Sequence, residues 1–111
     1  MTQNNNKPIH TIEYYNEEKR KIYFEEWKLD GKLHREDGPA YIKYYADENI
    51  WSKHYCINGK YHREDGAAFI CYNEDGSIRY LEYDLNGKRY SSLEYLKLIP
   101  PQNRIKVLLN D

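Results

Sequence analysis

The sequence predicts a mainly β protein: an antiparallel meander sheet built from about three 28-residue hairpin repeats, closed by a short C-terminal helical cap. Three observations carry this reading. Residues 31–44, GKLHREDGPAYIKY, recur as residues 59–72, GKYHREDGAAFICY, and differ only at Leu33/Tyr61, Pro39/Ala67, Tyr41/Phe69 and Lys43/Cys71. Asp30-Gly31, Asn58-Gly59 and Asn86-Gly87 stand 28 residues apart, and a fixed period of this size marks repeated supersecondary units. Each of these dipeptides tolerates the positive φ that a two-residue type I′ hairpin turn needs. With 111 residues the chain has the size of one domain. Its repeats cover approximately residues 23–50, 51–78 and 79–91, and residues 92–111 form the cap.

The elements follow in order. Residues 1–8 read as a loose tail ending at Pro8, and 9–15 alternate as a strand before a turn at 16–19. A strand over 20–29 has repeat partners at 51–57 and 79–85. Period-2 alternation puts Trp27/Tyr55/Tyr83 and Leu29/Ile57/Leu85 on one face. Lys28/Cys56/Asp84 fall on the other, and because that column accepts any chemistry it is expected to face solvent. Return strands at 32–34 and 60–62 lead into Arg-Glu-Asp-Gly turns at 35–38 and 63–66. The next strands, 40–45 and 68–72, place Ala40/Ala68, Ile42/Ile70 and Tyr44/Tyr72 inward, and loops at 46–49 and 73–77 close the units. The third copy loses its His-Arg-Glu-Asp and carries Ser91-x-x-Glu94, the spacing of a capping box. A helix over 92–98 follows, stopped by Pro100-Pro101; residues 102–109 suit a second helix better than a last strand. Leu93, Leu96, Ile99, Val107, Leu108 and Leu109 need cover and are expected to pack on the sheet.

Composition narrows the function. A formal net charge of −1 lacks the basic surplus of a general polyanion binder. No apolar run reaches the roughly 20 residues of a membrane span, and the N-terminal residues have no signal-peptide core. A cytoplasmic protein is expected, without disulfides: two cysteines, Cys56 and Cys71, suit a reducing compartment. Tyrosine occurs 13 times against two phenylalanines. That suits a thin sheet with partly wet faces, and also a binding surface.

His34-Arg35-Glu36-Asp37 and His62-Arg63-Glu64-Asp65 contain the parts of an acid–base site. The set recurs in successive turns, however, and a small domain has no reason to duplicate a catalytic centre. A scaffold role is the better reading: Asp caps its own turn, Arg bridges to a carboxylate of the next repeat, and His bonds a neighbouring turn. His10, His34, His54 and His62 lack the short paired spacing of zinc ligands. No phosphate loop, nucleophile elbow or dinucleotide fingerprint is present. Neither an enzyme nor a cofactor or metal site is expected.

The wording W/Y-x-L/I-N/D-G-K-x-H-R-E-D-G-P-A-x-I, carried by residues 23–96, resembles a β-hairpin repeat family of uncharacterised phage and giant-virus proteins. The units are similar in spirit to MORN repeats. Some members end in a Gly-Lys-x-x-Ser-x-x-Glu segment entering a helix, as Gly87-Lys88 through Glu94 does here. The resemblance implies a repeat β-sheet of viral or mobile-element origin and transfers no assigned chemistry.

The leading expectation is non-enzymatic binding to a protein partner, and the resemblance extends this to inhibition of a host defence or nuclease complex in the host cytoplasm. A single-stranded nucleic-acid or nucleotide binder is the alternative, since sheet aromatics beside Lys and Arg can stack bases. A third is a self-assembling structural protein, in which a second copy buries the apolar area a single layer leaves open. Scaffold positions must repeat, because each unit packs on the next, whereas a surface engaging one asymmetric target need not. The non-repeating Tyr41, Lys43, Tyr45, Trp51 and Phe69 are therefore the candidate partner-binding residues.

Overall fold

Three hairpin turns fix the register of the chain. Asp30, Asn58 and Asn86 have φ of 51, 50 and 52°, and Gly31, Gly59 and Gly87 have φ of 77, 79 and 83°. Both central residues of each turn are thus left-handed, as a type I′ turn requires. The structure, a computed structural model, describes residues 7–18 and 20–110. Most of the expected tail over residues 1–8 lies outside the described residues.

The first unit comprises β1 (Ile9–Tyr14), β2 (Ile22–Leu29) and β3 (Lys32–Leu33). The second comprises β4 (Tyr41–Tyr44), β5 (Ile50–His54), β6 (Cys56–Ile57) and β7 (Lys60–Tyr61). β8 (Phe69–Tyr72), β9 (Ile78–Leu85) and β10 (Lys88–Tyr90) form the third. The strand expected over 51–57 divides at Tyr55, whose backbone is shared between two ladders: its N–H donates to Ala68 O (2.7 Å) and its carbonyl accepts from His62 N–H (3.0 Å). The main sheet runs β1-β2-β4-β5-β8-β9-β10, entirely antiparallel, with β3 paired to β2 and β6–β7 as a small ribbon. The result is a plate 49 × 46 × 20 Å across.

A bulge recurs once per unit. The pairing shifts between Glu13 and Tyr14, between Lys43 and Tyr44, and between Cys71 and Tyr72. Tyr23, Trp51 and Arg79 are the extra residues, one per unit. The first bulge shows that β1 takes the place held by β4 and β8, although its sequence, IHTIEY, does not resemble theirs.

Each Arg-Glu-Asp-Gly turn is held from inside its own repeat. The Arg35 guanidinium lies 3.9 Å over the Trp27 ring, and Arg63 lies 3.9 Å over Tyr55. Arg35 Nε donates to Asp37 Oδ1 (3.0 Å) and Nη1 to the Pro39 carbonyl (3.2 Å). Arg63 repeats this with Asp65 (3.0 Å) and Ala67 (3.0 Å). The expected bridge from Arg to the next repeat is thus replaced by one to the Asp two residues on, because the turn folds that carboxylate under the guanidinium. A Cβ on Gly38 would come within 2.9 Å of Arg35 Cζ, and one on Gly66 within 2.8 Å of Arg63 Cζ. The glycines make room for the arginines.

Histidine and backbone join one repeat to the next. Asn58 N–H donates to His34 Nδ1 (3.0 Å), and Asn86 N–H donates to His62 Nδ1 (3.0 Å). Gly59 N–H reaches Leu33 O (2.8 Å), and Gly87 N–H reaches Tyr61 O (2.8 Å). Arg35 N–H reaches Cys56 O (3.1 Å), and Arg63 N–H reaches Asp84 O (3.2 Å). The role of His as a bond to the neighbouring turn is as expected.

Two helices end the array. α1 (Ser92–Leu98) starts at a complete capping box between Ser91 and Glu94, and α2 (Pro101–Asn110) starts at proline, whose missing N–H is no loss there. Tyr95 is fully buried and stands where a third arginine would be, with its ring 4.9 Å from Tyr83. Its hydroxyl reaches the Arg63 carbonyl and the Gly66 carbonyl (2.8 Å), and accepts from Gly66 N–H (3.2 Å). Tyr95, Ile99 and Val107 pack with Ala67, Ile70 and Tyr83 to form the core on the back of the plate. Leu96 joins its margin, but Leu93, Leu108 and Leu109 are exposed (73, 66 and 79%), contrary to expectation. Two short helices on one end of a thin sheet cannot bury all their apolar positions.

The column Lys28/Cys56/Asp84 also departs from expectation. Lys28 is exposed, but Cys56 and Asp84 are each 3% exposed. The return strands fold over the column at Tyr61 and Arg89, which pair with Cys56 and Asp84. Tyr95→Phe should lower stability by about 1–3 kcal/mol, because it strips the hydroxyl that bonds the backbone of a buried turn. Urea unfolding should show the lower midpoint at unchanged slope; an unchanged midpoint would mean that the Tyr95 hydroxyl does not hold the second turn.

Candidate functional site: an aromatic trough on the front face

The front of the plate, opposite the helices, carries a row of rings. Phe24, Tyr41, His54, Phe69 and Tyr80 come from five adjacent strands, with successive centroids 5.3, 5.0, 4.8 and 5.7 Å apart. Alternation along each strand puts these side chains on one face, and antiparallel register puts them side by side.

The row is hollow in the middle. Phe24, Ser52 and Tyr80 occupy one repeat column, so the central unit places a hydroxymethyl group where its neighbours place rings. Ser52 is 6% exposed and forms the floor of a shallow trough of about 500 Å³. Its walls are Leu33, Tyr41, Lys43, Trp51, His54, Tyr61, Phe69 and Cys71. The bulge brings Trp51 to this face beside Ser52, and Lys43 Nζ sits 4.1 Å from its ring and 5.4 Å from that of Tyr23.

Four of the five candidate residues, Tyr41, Lys43, Trp51 and Phe69, thus meet in one place. Tyr45 does not line the trough. It stacks on Trp51 (4.8 Å, 3°) and donates to the Tyr72 carbonyl (2.8 Å), which ties it to the scaffold. Sequence reasoning missed His54, Ser52 and Tyr61. The signal was present for His54, since its repeat partners are Glu26 and Glu82.

Two hydrogen bonds link the floor. Ser52 Oγ lies 3.0 Å from His54 Nε2, and Tyr61 Oη lies 2.8 Å from His54 Nδ1. Burial, with a smaller push from the Lys43 charge against the pull of Glu82, lowers the His54 pKa to about 4. Burial also raises Tyr61 to about 12. Both are neutral near pH 7. Burial drives Asp84 up to about 6, with a hydrogen bond and repulsion from Glu82 adding to it and Arg89 opposing. Asp84 Oδ1 has no hydrogen-bond partner among the described residues.

The duplicated His-Arg-Glu-Asp turns lie elsewhere, along a groove with Asn103 and Lys106. There His34 Nδ1 and His62 Nδ1 accept from backbone N–H groups, so the proton sits on Nε2, facing Glu36 (3.5 Å) and Glu64 (3.3 Å). No imidazole lone pair is left to take a proton from a substrate. Among the described residues, no three His, Cys, Asp or Glu side chains converge on a metal position. Cys56 is buried, and burial pushes its thiol up to about 11. No helix among the described residues is long and apolar enough to cross a membrane. No protein-family model, curated protein or solved structure matches the chain.

The two shifted groups oppose each other in acid. The native state holds fewer protons than the unfolded chain at His54 between pH about 4 and 6.5, so that contribution falls as pH drops. At Asp84 the native state holds more between about 4 and 6, so that contribution falls as pH rises. Asp84→Asn should therefore raise stability by about 1–2 kcal/mol at pH 7.5 and lose the advantage near pH 4. Denaturant melts at both pH values check this. A destabilised variant at pH 7.5 would show that the buried charge is compensated.

Proposed function

We propose that the chain is a non-enzymatic protein-binding module whose recognition surface is the front-face trough. One observation carries the reading: Tyr41, Lys43, Trp51 and Phe69, which do not repeat, gather around one concavity, while the repeated residues hold the plate. Aromatic side chains on a rigid sheet give large contact area at low ordering cost, and interface hot spots favour Trp and Tyr. Charge favours protein over nucleic acid. Among the described residues, Lys43 is the one cation lining the trough, and Glu26 and Glu82 flank the ring row. A phosphate backbone tracking the sheet would meet those carboxylates.

The ring row itself supports a second reading, a single-stranded nucleic-acid or nucleotide binder, since rings at these spacings offer stacking positions. Inhibition of a host defence or nuclease complex is the finer form of the first reading and rests on the repeat resemblance alone.

Affinity capture from cell extract, with and without nuclease, separates the two. The wild type and an Ile105→Ser control on the exposed side of α2 should retain the same nuclease-resistant protein. Trp51→Ala should weaken its binding at least tenfold, about 1.4 kcal/mol, with melting close to wild type. Nuclease-sensitive capture, or equal capture by Trp51→Ala, would contradict the proposal.

A further inference from the structure

Among the described residues, Lys43 is the one charged side chain that lines the trough. Glu26 lies 3.5 Å from Lys28, and Glu82 lies 3.4 Å from Arg89. Asp84 is closed off beneath its neighbours. His54 is neutral and bonded on both ring nitrogens. No carboxylate among the described residues lies within salt-bridge distance of Lys43; its contacts are the faces of Trp51 and Tyr23. It is half-buried at the trough wall. A partly desolvated ammonium held by rings attracts an anion more strongly than one in free water.

The rest of the trough carries no charge near pH 7. Ser52 and Tyr61 are each bonded to the His54 ring, and the remaining walls are Tyr41, Trp51, Phe69, Leu33 and the Cys71 thiol. The complement of this surface is an apolar group with a single negative charge at one side. A dianionic phosphate suits it less, because a single ammonium among the described residues lines the trough.

Resting on the trough's role as a protein-binding surface, we infer that it takes a carboxylate-bearing apolar segment of its partner. An acidic side chain or chain-terminal carboxylate lies on Lys43, and an adjacent aromatic or aliphatic side chain lies over Ser52 between Tyr41 and Phe69. Lys43 is then a specificity determinant and Trp51 its support: the ring fixes the ammonium over the trough and covers the ion pair from water.

Tryptophan fluorescence reads this without a known partner. Trp27→Tyr removes the other tryptophan and installs the residue that the second and third repeats already use there. In that background, N-acetylphenylalanine should change Trp51 emission saturably with a millimolar Kd. Its neutral isostere, N-acetylphenylalaninamide, should bind about fivefold more weakly. Lys43→Met should bring both ligands to the weaker value, and Lys43→Arg should restore the preference, with melting temperatures confirming that both variants fold. Equal binding of acid and amide, absence of saturation, or tighter binding of adenosine monophosphate would each overturn the inference. If the preference is absent while Trp51→Ala still releases the captured protein, the recognition surface stands and its charge chemistry falls.

Discussion

The arginine stacked on the strand aromatic is the contact on which the rest of this plate depends. A single-layer sheet buries too little on each side to stabilise itself by area alone. Here each turn folds back so that Arg35 covers Trp27 and Arg63 covers Tyr55. The same guanidinium bonds the turn's own Asp and a carbonyl two residues further on. One side chain thereby supplies a lid for an exposed ring and closes its turn. Glycine follows because the guanidinium lies where a Cβ would be. Histidine completes the unit by accepting the next hairpin's N–H. The His-Arg-Glu-Asp-Gly string is thus a set of structural contacts, and its duplication reflects the need to make them in each repeat.

The same logic explains where the array stops. The third unit has a strand aromatic, Tyr83, but no arginine turn to cover it. Tyr95 on α1 supplies the ring cover, and its hydroxyl satisfies the second turn's backbone. The cap therefore does from outside what a further repeat would do, a common arrangement at the ends of repeat arrays. Because the back of the plate and the turns carry these duties, the front face is free to differ between copies. Ser52 between Phe24 and Tyr80 opens the hollow, and the recurrent bulge turns Trp51 toward it.

Much of this was legible in the residues. The Asn-Gly spacing predicts three type I′ hairpins, and the dihedrals agree. Ser91-x-x-Glu94 predicts the helix start, and the reciprocal cap is formed. The non-repeating positions converge except for Tyr45, whose hydroxyl is taken by the Tyr72 carbonyl. What was not legible has a physical cause in each case. The bulges break period-2 alternation without any glycine to mark them. The first strand was not recognised as part of a repeat because its bulge stands 30 residues before the next, at Glu13 and Lys43, rather than 28. The loop after it, residues 15–21, is two residues longer than the loop at 45–49. Cys56 and Asp84 looked solvent-facing because chemistry varied in their column, yet return strands seal them. Variation marked tolerance of different buried solutions there, not exposure.

The central claim is that the guanidinium–aromatic contact holds the plate. A double-mutant cycle on Tyr55→Ala and Arg63→Ala, read by urea unfolding, measures that contact with the individual losses subtracted. The account predicts a coupling energy of about 0.5–2 kcal/mol. Effects that add to within about 0.3 kcal/mol would contradict it and leave the repeated turn without its principal physical role.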